Sequence, residues 1–149
     1  MKKEFKEYLN EINLSESLIE HIEKQYECLS SLTAVTEFDD IFISEYSDKE
    51  GIRQYFSLWT FTEFALHKIA IGPNSKGDKI VITNLKDRVS EFGISDYNFD
   101  LINEDESSKL VIAFSLNANI TGRYGLTATS RNCKKLLSIV KKYFIPNIK

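Results

Sequence analysis

Apolar residues recur at helical spacing in two segments at the start of the chain. Phe5, Leu9 and Ile12 stand at i, i+4 and i+7 among charged residues, which predicts an amphipathic helix over residues 3–12. The register restarts after this segment and predicts a second helix over about residues 16–31. One face of the second helix carries Leu18, Ile22, Tyr26 and Leu29. The chain therefore opens with two helices that each have an apolar side to bury.

From residue 36 the spacing of the apolar residues changes from a helical period to a strand-like one. Polar turns separate the apolar runs, as at "GPNSKGD". Strands are predicted over residues 37–46, 53–71 (two strands or one bent strand), 79–85, 88–101 (one or two strands), 110–116 and 120–130. In the last of these, Gly122 marks a position where a bulge or close packing is expected. The pattern amounts to about seven short strands.

A third helical pattern closes the chain. Its apolar stripe consists of Cys133, Leu136, Leu137, Val140 and Phe144. Ser130 is the predicted N-cap of this helix, and Pro146 is expected to end it. For the second helix, Ser17 with Glu20 three residues later fits a capping box, and Ser15 is the alternative cap.

Residues 54–64, "QYFSLWTFTEF", hold five aromatic rings and the only tryptophan, Trp59. Such a run is either a platform for a ligand or a strand inside the core. On a strand, both faces of its first half are apolar, and only the face with Thr60 and Thr62 turns polar. A strand with two apolar faces needs cover on both sides. We interpret the run as a core strand, covered on one side by the N-terminal helices and on the other by the barrel or the C-terminal helix.

The order of the elements predicts an α+β fold with two N-terminal helices, a bent antiparallel sheet or barrel of about seven strands and a C-terminal amphipathic helix. Short turns between consecutive strands favour antiparallel pairing. We expect a single domain over residues 1–149, in which residues 1–31 form a helical N-terminal extension.

The order and spacing of the elements over residues 36–145 resemble the pleckstrin-homology-like barrel, although no sequence motif carries the resemblance. The resemblance implies a binding scaffold rather than an enzyme. That family typically has a tryptophan in its closing helix, whereas residues 131–144 contain none. Its phosphoinositide-binding members place basic residues in the loop between the first two strands. The loop here, "SDKEGIR", offsets two basic residues with two acidic ones and gives little support to inositol-lipid recognition.

Charge is divided unevenly along the sequence. Residues 1–106 carry 11 Lys/Arg and 22 Asp/Glu, whereas residues 107–149 carry eight Lys/Arg and no acidic residue. The formal net charge of −3 conceals this asymmetry. A basic segment on an otherwise acidic protein is the least ordinary feature of the sequence and the first place to look for a partner surface.

Nothing in the sequence predicts a membrane span or a secretory signal, so a cytoplasmic location is expected. Cys28 and Cys133 lie far apart and lack a CxxC partner. A disulfide between them is not expected in a reducing compartment. Cys133 falls on the apolar side of the last helix, which favours a buried thiol.

The residue inventory argues against catalysis and against a resident metal or cofactor. The two histidines, His21 and His67, have no ligand or nucleophile at a recognised spacing. Asp39 and Asp40, with nearby acidic residues, could hold Mg²⁺, but a solvated strand edge is the simpler interpretation. "TGRYG" suggests a phosphate loop, yet a strand kink explains its glycines as well. An enzyme of unknown type acting through Asp39 and Asp40 remains an alternative.

The basic end of the chain is the candidate interaction surface. Its residues are Arg123, Arg131, Lys134, Lys135, Lys141 and Lys142. We expect a small, non-catalytic binding or adaptor domain whose partner is another protein or a second copy of the chain. The alternative uses the same residues to bind an anion of nucleic acid or of phospholipid headgroups. A third interpretation is a merely solvated helix face.

The second helix carries a matching acidic stripe, which consists of Glu16, Glu20, Glu23 and Glu27. Like charges at this spacing are mildly destabilising unless something positive compensates them. We therefore hypothesise that the N-terminal helix pair docks near the C-terminal helix of the same chain or of a symmetry mate.

Overall fold

The computed structural model describes residues 1–47, 54–63, 65–71, 80–84, 89–98, 108–116 and 123–148. Contacts along the chain divide it into two compact units. The N-terminal unit comprises Met1–Thr62 with Leu66–Ile82, and the C-terminal unit comprises Glu63–Ala65 with Thr83–Lys149. The chain is an α+β protein with antiparallel strands, as its pattern predicts.

Two helices open the N-terminal unit, α1 at Lys3–Glu11 and α2 at Glu16–Thr33. Asn13, between them, has a φ of 58°, a left-handed conformation that asparagine tolerates. The hydroxyl of Ser15 accepts the backbone N–H of Leu18 at 3.3 Å and is the N-cap of α2. The preference for Ser17 as the cap was wrong, because its hydroxyl lies against that of Ser15 instead.

The sheet of the N-terminal unit contains four strands in the order β1-β2-β3-β4. They are β1 Asp40–Ser47, β2 Gln54–Phe61, β3 Ala65–Ile71 and β4 Ile80–Asn84. The run over residues 53–71 therefore forms two strands. The pairing of β1 with β2 and that of β2 with β3 is antiparallel, with Trp59 opposite Phe42 on one side and Lys68 on the other.

One face of this sheet packs against α1 and α2. Phe5, Tyr8 and Leu9 from α1 and Ile22, Tyr26 and Leu29 from α2 are buried in one cluster with Phe38, Ile41, Ile43, Leu58 and Ile69. The two helices therefore contribute to this core. The hydroxyl of Tyr8 also accepts the backbone N–H of Ile43 in β1 at 3.0 Å.

The aromatic side chains of β2 that the structure describes are buried or half-buried, in agreement with the interpretation as a core strand. Trp59 is 1% exposed and Phe61 is fully buried, while Leu58 on the opposite face joins the helical core. The indole N–H of Trp59 donates to the hydroxyl of Ser57 at 2.9 Å, which satisfies its polar atom inside the protein. Tyr55 and Phe64 lie outside the described side chains.

The C-terminal unit contains a three-stranded antiparallel sheet in the order β5-β6-β7. Its strands are β5 Val89–Asn98, β6 Lys109–Leu116 and β7 Arg123–Thr129. Within the range 88–101, the described residues 89–98 form one strand with register shifts at Val89/Glu91 and Ile94/Asp96. The bulge expected at Gly122 lies outside the described residues.

The third helix, α3, spans Asn132–Ile139 and continues without a break into a π-helical turn at Val140–Phe144 and a 3₁₀ turn at Ile145–Asn147. The prediction that Ser130 caps it was wrong. Ser130 has a φ of 53°, and its backbone N–H donates to the carbonyl of Ser108 at 2.7 Å, while Arg131 occupies the cap position. The chain thus turns sharply into the helix.

The seven described strands divide between a sheet of four and a sheet of three. A single seven-stranded sheet or barrel is not shown by them. The expected number of strands and their order along the chain are confirmed. None of the helices in the described ranges is long and apolar enough to cross a membrane.

Candidate functional site

The exposed side of the third helix forms a shallow depression of about 530 Å³. It is lined by Lys134, Leu137, Ser138, Lys141 and Lys142, which we call the basic face. These residues stand at i, i+3, i+4, i+7 and i+8, so that a single side of a helix presents them. Lys134, Ser138, Lys141 and Lys142 are exposed, and Leu137 is half-buried between them.

The opposite side of the helix fixes the basic face in place. Its buried residues are Cys133, Leu136, Ile139, Val140, Tyr143 and Phe144. The ring of Phe144 lies 4.5 Å from that of Phe114 on β6 and 6.2 Å from that of Phe92 on β5, measured between centroids. Because aromatic contacts hold the helix to its sheet, the orientation of the basic face is set by the core of the C-terminal unit.

A π-helical turn underlies half of the basic face. It begins at Val140 and contains both Lys141 and Lys142. Such turns are rare and occur frequently at functional sites, because the additional residue redirects the side chains that follow it. The ammonium of Lys142 lies 5.2 Å from the ring centroid of Tyr143, within cation–π distance.

The remaining residues of the predicted basic surface are not among those that line the depression. Arg131 is exposed at the start of α3, and Lys135 is half-buried beside the basic face. Arg123 begins β7, opposite Ser115, and its side chain lies outside the described part of the chain. The structure therefore brings three of the six predicted cations into one depression.

The chemistry of the basic face is that of a hydrogen-bond donor surface. Lysine ammonium groups only donate, and a serine hydroxyl can donate or accept. A ligand of this face must therefore supply acceptor oxygens, as carboxylates and phosphates do. Leu137 adds a small apolar area at its centre.

Helix α2 presents the acidic stripe on its outer side. Glu16, Glu20 and Glu27 are exposed, and Glu23 is half-buried. Lys24 is exposed among them and reduces the negative charge of the stripe. The stripe therefore lies on the side of α2 opposite the buried Ile22, Tyr26 and Leu29.

A second depression, of about 350 Å³, lies at the start of the chain. Met1, Lys2, Tyr26, Thr36 and Glu37 line it. The ammonium of Lys2 is 3.6 Å from a carboxylate oxygen of Glu37, so that the depression contains charges of both signs. Burial raises the pKa of Tyr26, and its interaction with the Phe38 backbone opposes that effect. The ion pair and the interaction with the Phe38 backbone give Lys2, Glu37 and Tyr26 partners within the fold.

The carboxylates near β1 do not form a metal-binding cluster among the described residues. The backbone N–H of Asp39 donates to the carbonyl of Phe61 at 2.8 Å, which extends the strand pairing, and Asp39 is exposed. In the portion of the chain that the structure describes, no group of three or more His, Cys, Asp or Glu residues is arranged to hold a metal ion. Cys28 is exposed and Cys133 is buried, and these two described cysteines are not joined in a disulfide.

Sequence reasoning missed two members of the basic face, Leu137 and Ser138. Leu137 was assigned to the apolar stripe, whereas it is only half-buried and lines the depression. The spacing of both residues from Lys134 and Lys141 is a signal that could have identified them.

No protein-family model matches the chain, and no match was found among curated proteins or solved structures.

Proposed function

We propose that the protein is a small, non-catalytic binding domain that contacts another protein through the basic face. The observation that carries the proposal is the arrangement of Lys134, Lys141 and Lys142 around the half-buried Leu137 on a helix whose other side is packed on its sheet. An apolar centre with a charged rim is the usual anatomy of a protein interface. Acidic side chains of the partner supply the acceptor oxygens.

An anion of nucleic acid or of a phospholipid headgroup is the second candidate ligand. The donor chemistry of the basic face and the hydroxyl of Ser138 favour it. The net charge of −3 opposes binding to a long polyanion, because most of the protein repels it. A protein with a local acidic patch avoids that repulsion, so the protein partner is the better match.

The proposal includes a pleckstrin-homology-like arrangement of the core and a cytoplasmic location. Seven strands followed by a closing helix support the first, since this is the order on which the resemblance rests. Binding through the exposed face of a helix, which a small β-sheet supports, is compatible with a non-catalytic module.

The test is capture of a partner by the tagged full-length chain in an extract of its native host. The bait variant is Lys134→Glu with Lys141→Glu. Its control is Lys3→Glu with Lys6→Glu, which makes the same change in net charge on exposed positions of α1. A partner that binds wild type and the control, loses at least roughly tenfold in affinity with the basic-face variant and rebinds in purified form supports the proposal.

Purified wild type is titrated in parallel with a DNA duplex, an RNA strand and vesicles containing anionic lipid. Binding to one of these that weakens steeply with salt, without a protein partner, assigns the face to the second candidate. If the basic-face variant captures every partner of wild type, the face is only solvated and the proposal is wrong.

A further inference from the structure

We propose that the partner of the basic face is a second copy of this chain, which binds through the acidic stripe of α2. This inference rests on the proposed function and names its partner. Both surfaces lie on helices that keep their apolar sides in a core and their charged sides exposed. One copy therefore carries both halves of a complementary contact.

The charged residues of the two helices are opposite in sign and have the same spacing. Glu20 and Glu27 are seven residues apart on α2, and Lys134 and Lys141 are seven residues apart on α3 and its π-helical turn. At about 1.5 Å per residue, both pairs are separated by roughly 10 Å along the helix axis. A parallel arrangement of the helices places each glutamate opposite one lysine.

The same alignment extends beyond these two pairs. It places Glu16 opposite Ser130, one residue before Arg131, so that Glu16 and Arg131, which are both exposed, lie near each other at the beginning of the helices.

The residues between these two Glu–Lys pairs are also compatible with the contact. Lys24, the one cation of the acidic stripe, lies opposite Ser138, whose hydroxyl can accept its N–H. Glu23 lies opposite Leu137, and both are half-buried. No like charges are therefore opposed along the contact.

The resulting association is weak and salt-dependent. Exposed ion pairs contribute little individually, and they weaken as salt screens them over the Debye length, about 10 Å at 0.1 M. Each copy offers one acidic and one basic surface, so two reciprocal contacts related by a twofold axis give a closed dimer, and unreciprocated contacts give an open chain.

Charge exchange between two variants tests the contact. Variant one carries Lys134→Glu with Lys141→Glu, and variant two carries Glu20→Lys with Glu27→Lys. Solution mass is measured by sedimentation at low and at high salt for wild type, for each variant and for their equimolar mixture. We expect wild type to self-associate at low salt, each variant alone to weaken association at least roughly tenfold, and the mixture to restore it. A direct α2–α3 contact between copies predicts this restoration.

Far-UV circular dichroism and the melting temperature of each variant exclude misfolding as the cause of lost association. A wild-type chain that stays monomeric at low salt, or a mixture that does not associate, overturns the inference. If wild type is monomeric but variant one still loses a captured partner, the proposed function holds and only the identity of the partner is wrong. If capture also persists, both proposals fail.

Discussion

His67 and Thr60 place two polar atoms inside the core of the N-terminal unit. They face each other across β2 and β3, and they are 3% and 0% exposed. Neither Nδ1 of His67 nor Oγ1 of Thr60 has a hydrogen-bond partner in the described part of the chain. The imidazole lies edge-on to Phe38, with 5.4 Å between ring centroids. The sequence left open whether His67 is structural or on the surface, and the structure buries it.

We predict that His67 makes the protein less stable in mild acid. Burial lowers its pKa, and the Thr60 backbone only partly opposes this effect. Between the ordinary pKa of histidine, about 6.5, and the lowered value, the unfolded chain binds a proton that the folded chain does not. The stabilisation by neutral His67 is therefore complete above about pH 6.5 and is lost as pH falls toward the folded pKa.

Urea unfolding at a series of pH values from 7.5 to about 5 measures this effect, since carboxylates dominate below that range. The His67→Leu variant should lose most of the decrease in unfolding free energy over the series. His21→Gln is the control, because His21 is only half-buried, and it should keep the wild-type slope. Equal slopes in wild type and His67→Leu contradict the prediction.

Among the elements, α3 shows how two adjacent leucines have different roles. Leu136 is fully buried, whereas Leu137 is half-buried within the basic face. We predict that Leu136→Ala costs about 2–5 kcal/mol of unfolding free energy, because it leaves a cavity in the core. Leu137→Ala should cost clearly less and should weaken partner binding instead.

Denaturant unfolding and partner affinity, measured on both variants, separate the two roles. The pair is its own control, since the substitution is the same and the positions are neighbours. A larger loss of stability in Leu137→Ala than in Leu136→Ala would contradict the orientation of the helix.

The existence of the helices and strands followed from the period of the apolar residues, but several of their ends did not. The Ser130 cap was wrong because the pairing of its N–H with Ser108 depends on a neighbouring strand. The residue after α2, Ala34, is left-handed with a φ of 56°, and because it is not a glycine the sequence does not signal this conformation. The π-helical turn at Val140–Phe144 likewise depends on how Phe144 packs onto its sheet, which spacing alone does not encode.

For the whole molecule, the sequence predicted the fold class and the charge asymmetry but not the division into two sheets. Turns and apolar periods report which strands exist, whereas strand partners depend on contacts between residues distant in sequence. The cations of the basic face could be predicted, because charge is read directly from the sequence. The apolar centre of the face, Leu137, could not be predicted, because its exposure depends on how deeply the helix is buried against its sheet.

The burial pattern of the N-terminal unit predicts that its helices are indispensable. Six of their side chains are buried against one face of the sheet. A fully buried apolar side chain contributes roughly 1.5–3 kcal/mol, and a whole domain is stable by only about 5–15 kcal/mol. A chain that lacks residues 1–34 therefore exposes the apolar face formed by Ile41, Ile43, Leu58 and Ile69.

We expect this truncated chain to bind a hydrophobic dye strongly and to lose the cooperative urea transition of its N-terminal unit. An unchanged urea midpoint without dye binding would show that α1 and α2 are only an appendage. The same truncation also removes the acidic stripe, so lost self-association in it has two causes. Glu20→Lys with Glu27→Lys keeps the buried side of α2 and changes only its exposed charge. Comparison of the two chains therefore separates the role of α2 in the core from its role as a surface for a second copy.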